Sequence, residues 1–208
     1  MEIIFSIFFL VVGFLSGKAK RKYQENIGEH YINAILSKHF ASEEYHLLKN
    51  VTLPIVGGTT QIDHVLVSTK GIFVIETKNH SHWIFGTANQ PRWTQRTLWG
   101  KYQFQNPIHQ NYKHIKELGN YFDFLPENVF KSIVVFSGDP EFKTKMPANV
   151  LYSTDLVNYI NTFNEEIISL NRLFFVVGKL EFFRKEVSLA TDEEHIKYLR
   201  KKFGKTAI

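Results

Sequence analysis

Two short apolar runs separated by a tight turn are the feature that most constrains the fold of this chain. Residues 62–68 and 72–77 are rich in Val, Ile and Phe, and a Thr-Lys-Gly sequence lies between them at residues 69–71. This pattern predicts an antiparallel β-hairpin. A turn centred on the Thr-Lys pair places Asp63 directly opposite Glu76.

Three charged side chains of this hairpin are expected to converge. Side chains alternate between the faces of a strand, so Glu76 and Lys78 share one face, and antiparallel pairing adds Asp63 to it. The opposite face is predicted to carry Ile62, Leu66, Phe73 and Ile75. Both faces hold apolar residues that need covering, so the carboxylates should lie at the margin of a core, where a charge requires a partner.

Two neighbouring carboxylates beside an ammonium group suit a metal site. Asp63 and Glu76 offer the oxygen ligands that Mg²⁺ prefers, and Lys78 would supply positive charge next to them. A metal bound there can polarise a phosphodiester, while the ammonium stabilises the developing phosphate charge. The alternative is that the two acids are ordinary edge charges and that Lys78 is their surface counter-ion.

A helix is predicted on each side of the hairpin. In residues 26–40 the helical spacing groups Ile27, Tyr31, Ala34 and Ile35 on one face, with Leu36 as a further candidate, and Glu29 lies near the rim of that face or in solvent.

The second helix is better defined, because Asn106 fits the N-cap and Pro107 the first helical position. Gln110 and His114 are four residues apart on this helix, close enough to line one edge of a groove. Gln110 could orient a metal-bound water or a phosphate, and His114 could act as a base. The alternative is that Gln110 is an exposed polar residue and His114 an ordinary, partly buried histidine.

Aromatic and basic residues alternate between the hairpin and the second helix. Residues 80–105 contain all three Trp together with Arg92, Arg96 and Lys101. Such residues can stack on bases and neutralise phosphates, or the aromatics can simply pack on a sheet. Residues 93–96 and 102–104 read as short strands, which we expect to add a third strand to the core sheet.

The first residues form a second strong signal. Residues 3–15 are almost wholly apolar, and Lys18, Lys20, Arg21 and Lys22 follow at once. The order of charges argues against a signal peptide, whose basic region precedes the apolar stretch, and favours an anchor whose following domain stays in the cytoplasm. The segment is short for a bilayer core of about 30 Å, and a surface helix docked on the domain is the remaining alternative.

Composition limits the remaining possibilities. A chain of 208 residues, 44% hydrophobic, can bury one good core and a small appendage. The net charge of +5 favours an anionic partner, either nucleic acid or a membrane surface. With no Cys and nine scattered His, the chain offers neither a disulfide nor a zinc site.

The motif around the hairpin resembles that of a known nuclease family. Asp-x(12)-Glu-x-Lys at residues 63–78 is similar to the catalytic motif of the restriction-endonuclease-like, or PD-(D/E)xK, nucleases, with Ile62 in place of the usual Pro. Its surroundings look like the NERD (nuclease-related) domain over residues 25–137. The residues that carry this likeness are Gly28-Glu29, Gln61-Ile62-Asp63-His64, Gly71 to Lys78, Gly86, Trp93, Asn106-Pro107, Gln110 and His114.

The resemblance implies roles for particular residues. It makes Asp63 and Glu76 metal ligands, Lys78 the catalytic lysine, and Glu29 and Gln110 further site residues. It also implies dependence on Mg²⁺ or Mn²⁺ and a substrate of DNA.

The fold implied is an α/β, restriction-endonuclease-like αβββαβ core with a mixed central sheet. Residues 132–137 are predicted to form its buried parallel strand and residues 150–152 a last short strand. We expect an N-terminal transmembrane anchor and basic flank at 1–22, a nuclease domain at 23–163 and a helical extension at 164–208.

The sequence therefore predicts a single-pass protein of the cell membrane whose cytoplasmic domain is an endo- or exodeoxyribonuclease. The alternative is an inactive scaffold that holds nucleic acid or protein at the membrane.

Overall fold

The structure is a computed structural model that describes residues 27–204. Its regular elements are α1 (27–39), β1 (Tyr45–Ile55), β2 (Gly58–Ser68), β3 (Gly71–Lys78), β4 (His82–Phe85), β5 (Arg92–Thr97), β6 (Gly100–Gln105), α2 (Pro107–Tyr121), β7 (Phe130–Phe136), β8 (Pro140–Phe142), β9 (Val150–Tyr152), α3 (Leu156–Asn161), α4 (Leu170–Phe183) and α5 (Leu189–Phe203). The result is a mixed α/β fold.

The main sheet has five strands in the order β1-β2-β3-β7-β9. The predicted hairpin is confirmed as β2 and β3, which pair antiparallel, and β7 runs parallel to β3 as expected. Gly71 closes the turn with φ of 140°, a backbone conformation that favours glycine. The order α1-β1-β2-β3-α2-β7 has the αβββαβ sequence that we expected.

One strand of that order was assigned wrongly. The third antiparallel strand of the core is β1, whereas residues 93–96 and 102–104 belong to a separate sheet with the order β6-β5-β4-β8. The sequence of β1 does not show the regular alternation of a strand, because Asn50, with φ of 49°, and Pro54 interrupt it. The second sheet packs on β7 and β9 through the buried side chain of Trp93.

Apolar side chains cover both faces of the main sheet. On one face, α2 and α4 pack over β1, β2 and β3. On the other face, α1 and α3 cover β3 and β7. The buried face of α1 agrees with the prediction only at Leu36, which is buried together with Gly28 and Ile32, whereas Ile27, Tyr31 and Ala34 are exposed.

The predicted membrane anchor at residues 1–22 lies outside the described residues. Within 27–204, no helix combines the length and the apolar character needed to cross a membrane. The division at residue 163 stays a prediction, although α4 contributes Leu173, Val176 and Leu180 to the core beneath β1 and β2.

Candidate active site

The site lies where β2 and β3 leave their shared hydrogen-bond ladder. The pairing of β2 with β3 ends at His64 and Ile75, one residue before the predicted pair of Asp63 and Glu76. Asp63 Oδ2 accepts a hydrogen bond of 2.7 Å from the backbone N–H of Thr77. The hairpin geometry thus brings the two predicted acids together.

The alternation of side chains is interrupted at this point. Ile62 and Val65 pack in the same core cluster although they are three positions apart, which regular alternation would place on opposite faces, and Leu48 and Val51 do the same on β1. Ile62 was expected on the opposite face, and that assignment is wrong. The interruption coincides with the left-handed backbone of Asn50, and Asp63 is partly buried between the buried residues Ile62 and His64.

Glu76 is buried, with 1% of its side chain exposed, and an ammonium and an imidazole group face it. Lys78 Nζ lies 2.5 Å from Oε1, and His114 Nε2 lies 3.3 Å from Oε2. Burial alone would raise the pKa of Glu76, but Lys78 and then His114 lower that pKa to about 2. The Glu76 carboxylate is therefore ionised at neutral pH.

α2 supplies the third side of the site. Gln110 Oε1 accepts from Lys78 Nζ at 3.2 Å, while His114 Nδ1 is 2.8 Å from Thr60 Oγ1. These two residues lie one turn apart on the same side of α2, so that Gln110 contacts Lys78 and His114 contacts Glu76. The spacing thus indicated a position for His114, but nothing in the sequence indicated its contact with Glu76.

Two buried asparagines hold α2 in this position. Asn106 caps the helix through Ile108 N–H, and its Nδ2 donates to the carbonyls of Thr87, Ala88 and Gln90. Asn111 Nδ2 donates to Val74 O on β3 and to Ile133 O on β7. The amide of Asn111 therefore fixes the rotation of α2 over the strands that carry the acids.

Asp63 experiences the opposite electrostatic balance from Glu76. Burial, then the charges of Glu76 and Glu29, raise the pKa of Asp63 well above its ordinary value, against weaker lowering by Lys78 and Thr77. Glu29 thus acts on the site from α1. The carbonyl of Glu29 also interacts with the buried His64 ring.

The oxygen donors of the site partly meet the needs of a divalent cation. No three His, Cys, Asp or Glu side chains between residues 27 and 204 are grouped as a metal site. Two carboxylates are present, however, and Glu76 Oε2 is buried without a well-oriented hydrogen bond. Ionising Asp63 would add a second negative charge there, which a cation would neutralise, so the acids fit a hard cation that retains several waters.

The predicted phosphate-binding residues lie apart from the acids, on the second sheet. Arg92, Arg96 and Lys101 are exposed, and Arg96 pairs across the ladder with Lys101. Beyond them, the turn between β5 and β6 projects Trp99, which is 90% exposed. This tip was not singled out from the sequence, because an exposed Trp cannot be told there from a core one.

The mixed sheet and its charged margin agree with a nuclease-related α/β domain. The family model of the nuclease-related domain (NERD) matches residues 24–137, and the chain belongs to this family. The chain is also 33% identical over 194 residues to a protein of Bacillus anthracis that is named as uncharacterized, covering 88% of this chain and 87% of that protein. No solved structure matches the chain.

Proposed function

We propose that this protein is a metal-dependent nuclease that hydrolyses phosphodiester bonds of DNA. The observation that carries the proposal is the meeting of Asp63, Glu76 and Lys78 at the end of the hairpin, in a chain of the nuclease-related family. The pKa of Asp63 is raised and that of Glu76 is lowered. Strongly shifted pKa values of this kind are common at sites of metal binding or acid–base chemistry.

Each site residue has a distinct part in this mechanism. Asp63 and Glu76 would hold Mg²⁺ or Mn²⁺, which would supply Lewis-acid polarisation of the phosphate and acidify a water. Lys78, beside Glu76, stabilises the charge that develops on the phosphate. Gln110 orients Lys78 through the 3.2 Å contact, and Glu29 adds negative charge that strengthens cation binding.

The second sheet is proposed to guide the DNA. Arg92, Arg96 and Lys101 offer three exposed cations, and Trp99 offers an aromatic ring for stacking at the tip. Phosphate contacts of this kind position a nucleic acid without reading its sequence. We therefore expect binding with little sequence preference.

The proposal extends to the superfamily, the domain boundaries and the membrane anchor of the chain. The core is assigned to the restriction-endonuclease-like superfamily, with the nuclease domain at residues 23–163 and a helical extension at 164–208. Residues 1–22 are proposed to anchor the chain in the cell membrane with the domain in the cytoplasm, on the strength of the apolar residues 3–15 and the cations that follow.

The test is cleavage by the full chain in detergent or nanodiscs. Single-stranded, double-stranded and branched DNA would be incubated with Mg²⁺, with Mn²⁺ or with a chelator. Cleavage should require the metal and should be lost in Asp63→Asn and in Lys78→Ala. The matched controls Asp123→Asn and Lys145→Ala change exposed residues and should cleave normally. Activity that persists in both site variants would refute the assignment.

A second candidate function is supported by the state of Glu76. Lys78 and His114 already face both of its oxygens, and no group of three metal-binding side chains is assembled in the described part of the chain. A scaffold that binds DNA without cutting it would keep this closed ion-pair network. Binding without cleavage in either metal would favour the scaffold.

A further inference from the structure

Two large apolar side chains project into water from the turn between β5 and β6. Leu98 and Trp99 are 88% and 90% exposed, and Thr97 and Gly100 pair across the ladder on either side of them. Turns of two residues favour Gly, Asn and Asp, so the turn itself does not require apolar residues here. Thr97 Oγ1 accepts from the backbone N–H of Trp99 at 3.2 Å, which orders the turn. The exposure of Leu98 and Trp99, here called the ribbon tip, therefore indicates a partner.

Three exposed cations lie behind the ribbon tip on one face of the second sheet. Arg96 is directly opposite Lys101 in the ladder, and Arg92, four residues before Arg96, shares its face. The contacts of the two arginines do not neutralise them: Arg92 donates to Gln103 O at 3.5 Å, and Arg96 lies 5.8 Å from the centre of the Trp83 ring. Because like charges directly opposite each other destabilise a sheet, an anion bound between Arg96 and Lys101 would be stabilising.

The sequence around these cations lacks acids. Residues 79–116, which include β4, β5, β6 and most of α2, contain no Asp or Glu. On β8, which pairs with β4, Glu141 forms an ion pair with Lys143. A group of exposed cations without acids among them favours a polyanion as the partner of this face.

The polar residues of this face favour a nucleic acid over a lipid surface. Thr94 and Gln103 lie opposite each other between the cations, where they can hydrogen-bond to phosphates or bases but would lose their water in a bilayer. The second sheet also adjoins the candidate active site, since β4 begins four residues after Lys78 and Gln110 follows the end of β6 by five residues. β6 is about 20 Å long. A DNA strand that contacts the ribbon tip would therefore reach the acids several nucleotides further on.

We propose that the ribbon tip stacks on unpaired bases and thereby selects DNA that has a single-stranded part. The inference rests on the proposed function and adds the class of DNA to it. An indole ring can stack on any base whose face is open, whereas neighbouring bases cover these faces in an intact duplex. Trp99 provides the stacking surface and Leu98 packs beside the base, while Arg96 and Lys101 bind the phosphates next to it.

The test is DNA binding by the full chain in nanodiscs, with chelator present so that no cleavage occurs. Fluorescence anisotropy would compare a single strand, a blunt duplex and the same duplex with a single-stranded tail, each over a salt series. The variants are Trp99→Ala and Trp99→Phe. The matched control is Phe182→Ala, which removes an aromatic side chain that is 81% exposed on α4.

The expected result is a loss of affinity that depends on the form of the DNA. In Trp99→Ala the affinity for the single strand and for the tailed duplex should fall about tenfold or more, whereas that for the blunt duplex should stay within about twofold. The slope of log affinity against log salt should not change, because no phosphate contact is lost. Trp99→Phe keeps an aromatic face and should retain most of the affinity, and Phe182→Ala should bind as the wild type does.

The outcomes separate the ribbon tip from the proposed function. An equal loss on the blunt duplex, or no loss on any DNA, would overturn the role of the ribbon tip and leave metal-dependent cleavage by the wild type standing. Selective binding of unpaired DNA through Trp99 without cleavage in Mg²⁺ or Mn²⁺ would support the ribbon tip and refute the nuclease function. Failure of the wild type to bind any DNA would overturn both.

A lipid contact of the ribbon tip is tested in the same nanodiscs. The difference in fluorescence between the wild type and Trp99→Phe isolates the emission of Trp99. Brominated phosphatidylcholine quenches a tryptophan only on contact. Its failure to quench this difference is expected, whereas quenching would assign the ribbon tip to the bilayer and refute base stacking.

Discussion

At the scale of single residues, ionisation of Asp63 and ionisation of Glu76 have opposite effects on the stability of the folded protein. Glu76 is stabilised as an anion by Lys78 and His114, whereas burial and like charges penalise the anion of Asp63. A group whose pKa is raised by folding reduces stability as the pH rises through that pKa. At neutral pH, Asp63 therefore stores unfavourable energy that a cation would relieve.

This balance predicts a gain of stability when the charge of Asp63 is removed. In chelator at pH 8, Asp63→Asn should melt about 2 °C or more above the wild type, because the amide oxygen still accepts from Thr77. Differential scanning calorimetry with and without Mg²⁺ measures both effects. Mg²⁺ should raise the melting temperature of the wild type and of Asp123→Asn but not of Asp63→Asn. Equal metal shifts in all three proteins would contradict the ligand role.

The buried His64 side chain should make the free energy of unfolding depend on pH in the acidic range. Burial lowers the pKa of His64 to about 4, against weaker raising by the Glu29 carbonyl and Glu76. Because the unfolded chain takes up this proton near pH 6.5, the free energy of unfolding should fall by about 1–3 kcal/mol as the pH drops from 6.5 to 4.

Denaturant unfolding across that range measures the slope. His64→Gln should flatten it, and His39→Gln, at an exposed end of α1, should not. A slope that is the same in His64→Gln and wild type would show that other groups set the acid sensitivity.

At the scale of elements, α2 depends on one buried amide. Asn106 is fully buried, caps the helix and satisfies three loop carbonyls. Asn106→Ala should lower the free energy of unfolding by about 1–3 kcal/mol, since it removes the helix cap and the buried amide that donates to the loop carbonyls. Asn106→Asp keeps the cap acceptor but loses the three donations. Urea unfolding that shows Asn106→Asp as stable as wild type would mean that the cap alone matters.

The β5–β6 ribbon carries a prediction about DNA binding. Arg96→Ala with Lys101→Ala should weaken binding on all sequences and reduce the slope of log affinity against log salt by about 1–2, the loss expected from one or two phosphate contacts. Fluorescence anisotropy over a salt series measures this slope. The exposed Lys145→Ala is the control. An unchanged slope in the double variant would place the DNA elsewhere.

The hairpin and the two helices beside it show how much of the fold could be predicted from the sequence. The β2–β3 register followed from the turn residues and agrees with the observed pairing. The buried face of α1 was predicted only in part, because apolar spacing does not reveal Gly28 as a member of it: a Cβ there would lie 2.6 Å from Ser137 Oγ. The His114 contact with Glu76 depends on tertiary placement of α2, which local spacing does not give.

At the scale of the whole molecule, the carboxyl-terminal residues complete the core. α4 buries three aliphatic side chains with β1 and β2, and Ile167 and Ile168 N–H both donate to Thr69 O in the hairpin turn. A chain ending at residue 163 should therefore lose its cooperative thermal transition. Circular dichroism melting would show this, with Arg172→Ala, exposed on the same helix, retaining the wild-type transition. A sharp transition in this shortened chain would show that the domain folds without residues 164–208.

The parallel pairing of β3 with β7 has a consequence for how the molecule folds. Between these neighbours the chain first makes β4, β5, β6 and α2, so closure of a long loop precedes their contact. Asp63, Glu76 and Lys78 come from the early hairpin, whereas Gln110 and His114 arrive only with that closure. We expect pulsed hydrogen exchange to protect β2 and β3 before β7, so that the site is assembled in the last steps of folding.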